Sequence, residues 1–345
     1  MTTDSTTDVT ADSPTAATTG SRTPLRIGTR GSELALFQAR AVARLLQGHG
    51  ISSEIVVIKT SGDRLADAAL SDIGGKRLFV KEIEDALLER RIDLAVHSSK
   101  DMPVTLPSGL QIGAVLPRED ARDAVVLTAS LRGEDAGSVE GVTRTLGRQP
   151  RIGTSSVRRI AQLRRLWPGA HFAPIRGNLN TRLRKLDEGG FDALVLAAAG
   201  LRRLRFDDRI STPLPVAACV PAPGQGIIAV ELRDDDEAAR TVTASINDPI
   251  AAAALAAERA VIIRLGGGCQ MPIGAHAAID GSHIRMTAVV VSLDGARAAH
   301  ATAEGALSDP YAAGALVAER LIAEGAEDII AEVMRAHAAV EGLQP

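Results

Sequence analysis

Arg26-Ile27-Gly28-Thr29, near the start of the chain, and Arg151-Ile152-Gly153-Thr154, near its middle, are the same four residues, each placed just before a helical pattern. Around the first copy, Leu25 to Thr29 reads as a strand. Leu36, Ala39, Val42, Ala43 and Leu46 then recur at helical spacing over 32–47, with Ser32 as N-cap. After the second copy, Ser155 and Ser156 open a helix predicted to reach Leu166. The repetition points to two similar α/β domains facing a shared cleft.

Working outward, strands are predicted at 54–59 and 92–96 with a helix at 78–90 between them, a βα alternation that favours a mainly parallel sheet. The second unit continues with a strand at 171–175, a helix at 178–187, a strand at 193–197 and a basic helix near Leu201. Pro215, Pro221, Pro223, Gly224 and Gly226 mark a crossover, after which 227–232 reads as a strand returning to the first domain. A helix over 249–264, alternating segments near 284–291 and 297–303 and two Ala-rich helices form a third, α+β unit. The expected division is a tail at 1–24, domain 1 at 25–117 with 227–245, domain 2 at 118–226 and domain 3 at 246–345. The polar stretch 131–150 carries no predicted function.

A chain of 345 residues accommodates two or three domains, and with aromatics at 2% their cores must be built from Val, Ile, Leu and Ala. Two cysteines, Cys219 and Cys269, are too few for a disulfide framework and point to a reducing compartment. The tail has no basic start followed by an apolar run, and no uninterrupted apolar stretch of about 18 residues occurs, so a cytoplasmic protein is expected, with no membrane partner. Between Arg151 and Phe206 stand eleven arginines and one lysine against three acids, in a chain whose net charge is −3. That asymmetry predicts an anionic partner for the middle segment.

Arginine forks match carboxylates bidentately, and several carboxylates suit the set Arg158, Arg159, Arg176, Arg182, Arg202 and Arg203; a solvated basic face or a nucleic-acid patch is the other reading. The scarcity of aromatics argues against base stacking, so no nucleic-acid partner is expected. Thr154-Ser155-Ser156 and Arg30-Gly31-Ser32 set hydroxyls at helix starts, where free N–H groups favour anions, although plain N-caps need no ligand. His97-Ser98-Ser99-Lys100-Asp101-Met102-Pro103 follows an apolar strand and puts polar groups at its carboxyl end, where open α/β sheets bind ligands. Gly266-Gly267-Gly268 gives Cys269 an accessible loop, whereas Cys219 in its apolar setting reads as a buried small hydrophobe. No metal-ligand spacing, P-loop or nucleophile elbow is present.

Taken in order, these motifs resemble the porphobilinogen deaminase (hydroxymethylbilane synthase) family from Leu25 onward. The matching stretches are 26–32 (Arg-Ile-Gly-Thr-Arg-Gly-Ser), 74–82 (Gly-Gly-Lys-Arg-Leu-Phe-Val-Lys-Glu), 97–103, 152–159 (Ile-Gly-Thr-Ser-Ser-Val-Arg-Arg), 175–178 (Ile-Arg-Gly-Asn) with Thr181-Arg182-Leu183, 223–226 (Pro-Gly-Gln-Gly) and 267–274 (Gly-Gly-Cys-Gln-Met-Pro-Ile-Gly). The resemblance implies two periplasmic-binding-protein-like domains around a cleft, with a smaller C-terminal domain bearing the cysteine. It implies stepwise head-to-tail condensation of four porphobilinogen molecules with release of ammonia. A dipyrromethane cofactor would be joined to Cys269 by a thioether, and Asp101 would be the catalytic carboxylate.

Also by resemblance, Lys100, Ser98, Thr154, Ser155, Ser156, Arg158, Arg159, Arg176 and Gly177 would hold the cofactor. Arg30, Ser32, Arg176, Arg182, Arg203, Gln225, Gly226 and Phe79 would meet the substrate. The resemblance further implies a monomer that passes its product to uroporphyrinogen-III synthase. Arg77, where the family often has Gly, and Asp72, where some members have a basic residue, depart from its pattern. A non-catalytic organic-acid-binding protein of the same fold is the competing reading.

Overall fold

The computed structural model describes residues 23–61, 80–268 and 271–341. The chain begins with β1 (Leu25–Thr29), α1 (Glu33–Gly48), β2 (Ser53–Val57), α2 (Lys81–Leu88), β3 (Leu94–Ser98) and β4 (Leu110–Val115). Next come β5 (Asp123–Leu127), α3 (Val139–Leu146), β6 (Arg151–Gly153), α4 (Val157–Leu166), β7 (His171–Ala173), α5 (Leu179–Asp187), β8 (Ala193–Ala197), α6 (Ala198–Arg203) and β9 (Thr212–Pro213). β10 (Ile228–Arg233) and α7 (Glu237–Ala244) lead to α8 (Pro249–Leu265), β11 (Ile273–Asp280), β12 (His283–Val291), β13 (Ala298–Ala306), α9 (Pro310–Ala323) and α10 (Ala326–Glu341).

The first sheet runs β2-β1-β3-β10-β4 and the second β7-β6-β8-β5-β9. In each, the first three strands are parallel, and the strand beside the third is antiparallel and arrives by a crossover from the other half: β10 against β3, β5 against β8. Two crossovers, 116–122 and 214–227, therefore join the halves at the carboxyl ends of β3 and β8, and they form the floor of the cleft.

The repeated tetrapeptide does the same work twice. Ile27 and Gly28 pair with Leu94 and Ala95, as Ile152 and Gly153 pair with Ala193 and Leu194. Arg26 N donates to the Asp93 carboxylate at 2.9 Å, and Arg151 N donates to Asp192 at 2.7 Å, while each aspartate N–H returns a bond to the arginine carbonyl at 2.9 Å. Both glycines lie under the residue before that aspartate. A Cβ on Gly28 would come within 2.2 Å of Ile92 Cδ1, and one on Gly153 within 2.9 Å of Phe191 Cδ1. Only hydrogen lets the strand pack that closely. The duplication read from four residues thus extends to strand order, register and a shared aspartate.

Domain 3 is the antiparallel sheet β11-β12-β13 covered by α8, α9 and α10. β11 adds a third strand to the two predicted. Small side chains allow close helix approach: a Cβ on Gly314 would sit 2.1 Å from Ala257 O. This domain is pinned to the cleft floor by Glu258, fully buried, which accepts from Arg118 Nη1 at 2.5 Å, Gly224 N at 2.6 Å and Ala277 N at 2.8 Å, so that both crossovers and β11 meet at one carboxylate. Within the polar stretch 131–150, α3 forms because Ser138 caps it and Val142 and Leu146, one turn apart, are buried. Gly141 and two threonines obscured that helix in the sequence.

Candidate active site

β3 ends in the turn Ser99–Asp101, which lifts Lys100 and Asp101 to the cleft. Lys100 is half-buried, and its Nζ donates to Gln225 Oε1 at 3.3 Å, while Asp101 is exposed. Burial, reinforced by the cations Arg159 and Arg158 and only partly offset by Asp101 and Asp123, lowers the Lys100 pKa to about 8. Ser98, at the strand end, accepts from Gln38 Nε2 at 2.8 Å.

Across the cleft, β6 delivers Thr154, buried, whose Oγ1 accepts from Ser156 N at 3.3 Å. Ser155 Oγ donates to Ile175 O at 2.8 Å and accepts from Ile175 N at 3.0 Å, tying this loop to the segment that carries Arg176. Ser156 caps α4 by accepting from Arg159 N, as Ser32 caps α1 by accepting from Ala35 N.

Arg158 and Arg159 turn inward onto Asp123, the first residue of β5. Arg158 Nη1 lies 2.8 Å from Oδ2, and Arg159 Nη2 lies 2.7 Å from Oδ1. Burial alone would raise the Asp123 carboxyl, but the two guanidiniums and a hydrogen bond from Gln225 hold it well below the usual carboxylate range. Cys219 lies 3.3 Å from the same carboxylate; burial and that charge push its thiol up to about 12, so it is the inert buried cysteine expected.

Arg176 is half-buried and makes no ion pair among the described residues. The next residue, Gly177, has φ +103°, where a Cβ would also strike Thr181, and its carbonyl accepts from Arg182 Nε at 2.8 Å. Burial lowers the Arg182 pKa, as do Arg159 and Arg30, with Asp101 opposing, so these four charged groups, drawn from both walls, feel one another.

A small space of about 70 Å³ is lined by Ser99, Lys100, Ser156, Arg158 and Arg259, together with Gly268 and Met271. Those last two flank the Cys269 loop; Cys269 itself, like Phe79, lies outside the described residues. Two polar atoms on this lining, Ser99 Oγ and Arg158 Nε, are buried without a hydrogen-bond partner. Buried polar groups are normally paired, and these two lie on residues that line the space.

The structure does not bring every named residue here. Arg203 donates to Gly226 O at 2.7 Å and lines a larger cleft of about 580 Å³ with Phe37, Arg202 and Arg205, on the α1 and α6 side of the crossovers. Burial lowers its pKa to about 10, Glu119 offsetting part of the effect. Gly226 itself has φ +88°, and a Cβ there would meet Glu119 O at 2.3 Å, so its requirement is a close backbone approach.

Part of the positive surplus of 151–206 also serves the frame: Arg164 and Arg165 donate to Leu293 O and Gly295 O in the β12–β13 turn, and Arg202 pairs with Asp120. Sequence reasoning missed Asp123 and Arg259, and it quoted Ser99 within the 97–103 motif without giving it a role of its own. An acid heading the apolar run Ala124–Leu127 was the available signal for the first. Arg259 donates to Pro103 O and Val104 O, holding the Lys100–Asp101 turn from domain 3, and nothing in its helix marks it.

Family models match most of the chain: one described as porphobilinogen deaminase, dipyromethane cofactor binding domain, covers residues 25–241, and one described as porphobilinogen deaminase, C-terminal domain, covers 252–323. The chain belongs to the porphobilinogen deaminase family. It is 44% identical over 319 residues to the porphobilinogen deaminase of Geobacter metallireducens, covering 92% of this chain and 97% of that one. To that of Moorella thermoacetica it is 46% identical over 312 residues, covering 90% and 96%. Among solved structures, the second substrate-binding domain of Lactococcus lactis GlnP overlaps 65% of this chain and 88% of its own, at 10% identity and a TM-score of 0.41, too low to bear on the assignment. The chemistry of the lining suits the family's cofactor: a dipyrromethane carries several carboxylates, and the cations Lys100, Arg158 and Arg259 line the space beside the Cys269 loop.

Proposed function

We propose that this chain is a hydroxymethylbilane synthase, a transferase that joins four porphobilinogen molecules head to tail with release of ammonia. The observation that carries the reading is the convergence, on one small space, of the Lys100–Asp101 turn, the helix start with Ser156 and Arg158, and the two residues flanking Cys269.

In this reading Cys269 anchors the dipyrromethane by a thioether, and the cofactor, when bound, supplies the free pyrrole position onto which the chain grows. Lys100, Ser98, Thr154, Ser155, Ser156, Arg158, Arg159, Arg176 and Gly177 shape its seat, some by direct contact and some by holding the loops. Arg30, Ser32, Arg176, Arg182, Arg203, Gln225, Gly226 and Phe79 serve the incoming substrate. Arg176 and Arg182 are suited to hold acetate and propionate groups, which fixes the ring relative to Asp101. The Asp101 carboxylate accepts a pyrrole N–H and stands beside the positive charge that develops as ammonia leaves, lowering that barrier electrostatically. Its exposure at the cleft lets ammonia depart to solvent.

The division into domains at 25–117 with 227–245, 118–226 and 246–345 belongs to the same proposal, as do a cytoplasmic monomer and delivery of the product to uroporphyrinogen-III synthase. The test is the intact mass of the purified chain followed by turnover of porphobilinogen. An excess of two linked pyrrole units, mapped to the Cys269 peptide and absent from Cys269→Ala, is expected together with ammonia release. An unmodified chain that neither gains that mass nor turns over when given porphobilinogen would refute the assignment.

A further inference from the structure

At Gln225 the two crossovers, the two cleft walls and the buried charges meet. Its amide nitrogen donates to Ala121 O at 2.7 Å and to Asp123 Oδ1 at 2.8 Å, and its amide oxygen accepts from Lys100 Nζ at 3.3 Å and Arg159 Nη2 at 3.4 Å. Turned over, the amide would face a carboxylate and a carbonyl with its oxygen and two cations with its NH₂. It therefore has one tolerable orientation. Asp123 enforces that orientation from a fully buried position and lines neither cleft.

From this geometry we infer that Asp123 is a positioning residue: through the Gln225 amide it holds the Lys100 ammonium and the Arg159 guanidinium, one from each wall, where a ligand's carboxylates meet them. The identity of the ligand rests on the function proposed above, whereas the relay rests on the contacts alone. Because Gln225 lies on one crossover and grips Ala121 and Asp123 on the other, the relay also fixes the cleft floor on which both walls stand.

The charged groups around Lys100 are Arg158 and Arg159 from α4, Asp123 from β5, Arg259 from α8, which lines the same space, and Asp101 from its own turn, with Ser99 and Ser156 as neutral neighbours. Without the Asp123 charge, Lys100, Arg158 and Arg159 would lose their buried counter-ion and keep only the exposed Asp101 against them, with Arg259 adding a further cation beside the lysine. Arginine does not release its proton in such a setting, so the lysine yields. Asp123 thus sets the charge of Lys100 as well as its place.

The experiment is competitive labelling of lysines by trace acetic anhydride, from neutral to alkaline pH, on the full-length wild type, Asp123→Asn and Gln225→Met, with porphobilinogen kinetics beside it. The titration midpoint of Lys100 is expected to fall by roughly one unit or more in Asp123→Asn, the effect of losing a nearby opposite charge. It should move in the same direction and less far in Gln225→Met, with KM rising more than kcat falls in both. A wild-type midpoint in folded Gln225→Met overturns the relay. That variant keeps the Asp123 ion pairs, so it decides the matter alone if Asp123→Asn does not fold. Shifted midpoints in a chain whose wild type never turns over porphobilinogen would leave the relay standing and remove the proposed function.

Discussion

Helices α1 and α4 follow strands of the same sequence and start from a serine cap that accepts from the third residue onward, Ala35 in one and Arg159 in the other. Each buries a glutamine two turns in, Gln38 and Gln162. Beyond that they diverge. α1 buries Ala35, Ala39, Val42 and Leu46 and adds to an apolar core, while α4 buries Arg158 and Arg159 against Asp123. One backbone unit has been used once as plain scaffold and once as a charged wall. In the proposed function the scaffold half contributes its chemistry from the turn after its third strand, Lys100 and Asp101. The split separates an exposed carboxylate from a set of cations across one cleft, which suits a reaction that develops positive charge on a polycarboxylate substrate.

The comparison breaks most sharply at the buried pairs. Arg159→Ala should destabilise the fold by about 3–5 kcal/mol, because it leaves the Asp123 charge partly unpaired in the interior. Glycine at Ala35, the matching cap position of α1, should cost about 1 kcal/mol, and denaturant midpoints of both variants read the difference. Asp101→Asn should lower kcat roughly 10²- to 10³-fold while leaving the stability within about 0.5 kcal/mol, since the residue is exposed and its proposed role is electrostatic. Gly28→Ala and Gly153→Ala should both destabilise, by about 1–3 kcal/mol each, as Cβ atoms pushed against Ile92 and against Phe191 and Leu194. If only one of the two does so, the halves are less equivalent than their register indicates.

Lys100 provides a pH-dependent contrast. With a pKa lowered to about 8, it is charged below that pH and neutral above it. Affinity for the substrate's carboxylates should therefore decline as pH rises through that value, by roughly tenfold for one lost charge-assisted hydrogen bond. A bound carboxylate favours the ammonium form, so the decline should begin at higher pH in the cofactor-loaded chain than in Cys269→Ala. Substrate-analogue binding to both forms across pH measures this. The smallest effect is expected at the caps, where Ser32→Ala and Ser156→Ala should each cost about 1 kcal/mol.

Strand and helix identities were legible because the apolar spacing that defines them is local. β8 was predicted at its observed bounds, and the return of the strand after Gly226 to the first sheet was read from the proline and glycine run before it. The motif-bearing turns around Lys100, Ser156 and Arg176 were legible as well, since each sits at a strand end. What each polar group does was not. Ser98 and Ser155 are held by protein partners, Arg203 faces a different cleft from Lys100, and Asp123 was overlooked.

The sequence alone determined the duplicated α/β plan, the return of one strand to the first half, the α+β unit that follows and a set of cations and hydroxyls whose chemistry suits carboxylates. Tertiary structure decided which of those residues neutralise one another and which remain for a ligand. Asp123 stands 35 residues from Arg158 and 102 from Gln225, and Glu258 stands 140 from Arg118. No periodicity spans such separations. Hydrophobic patterning is a property of neighbours along the chain, whereas the pairing of buried charges depends on a dielectric and a geometry that exist only after both sheets and the third domain have closed around them.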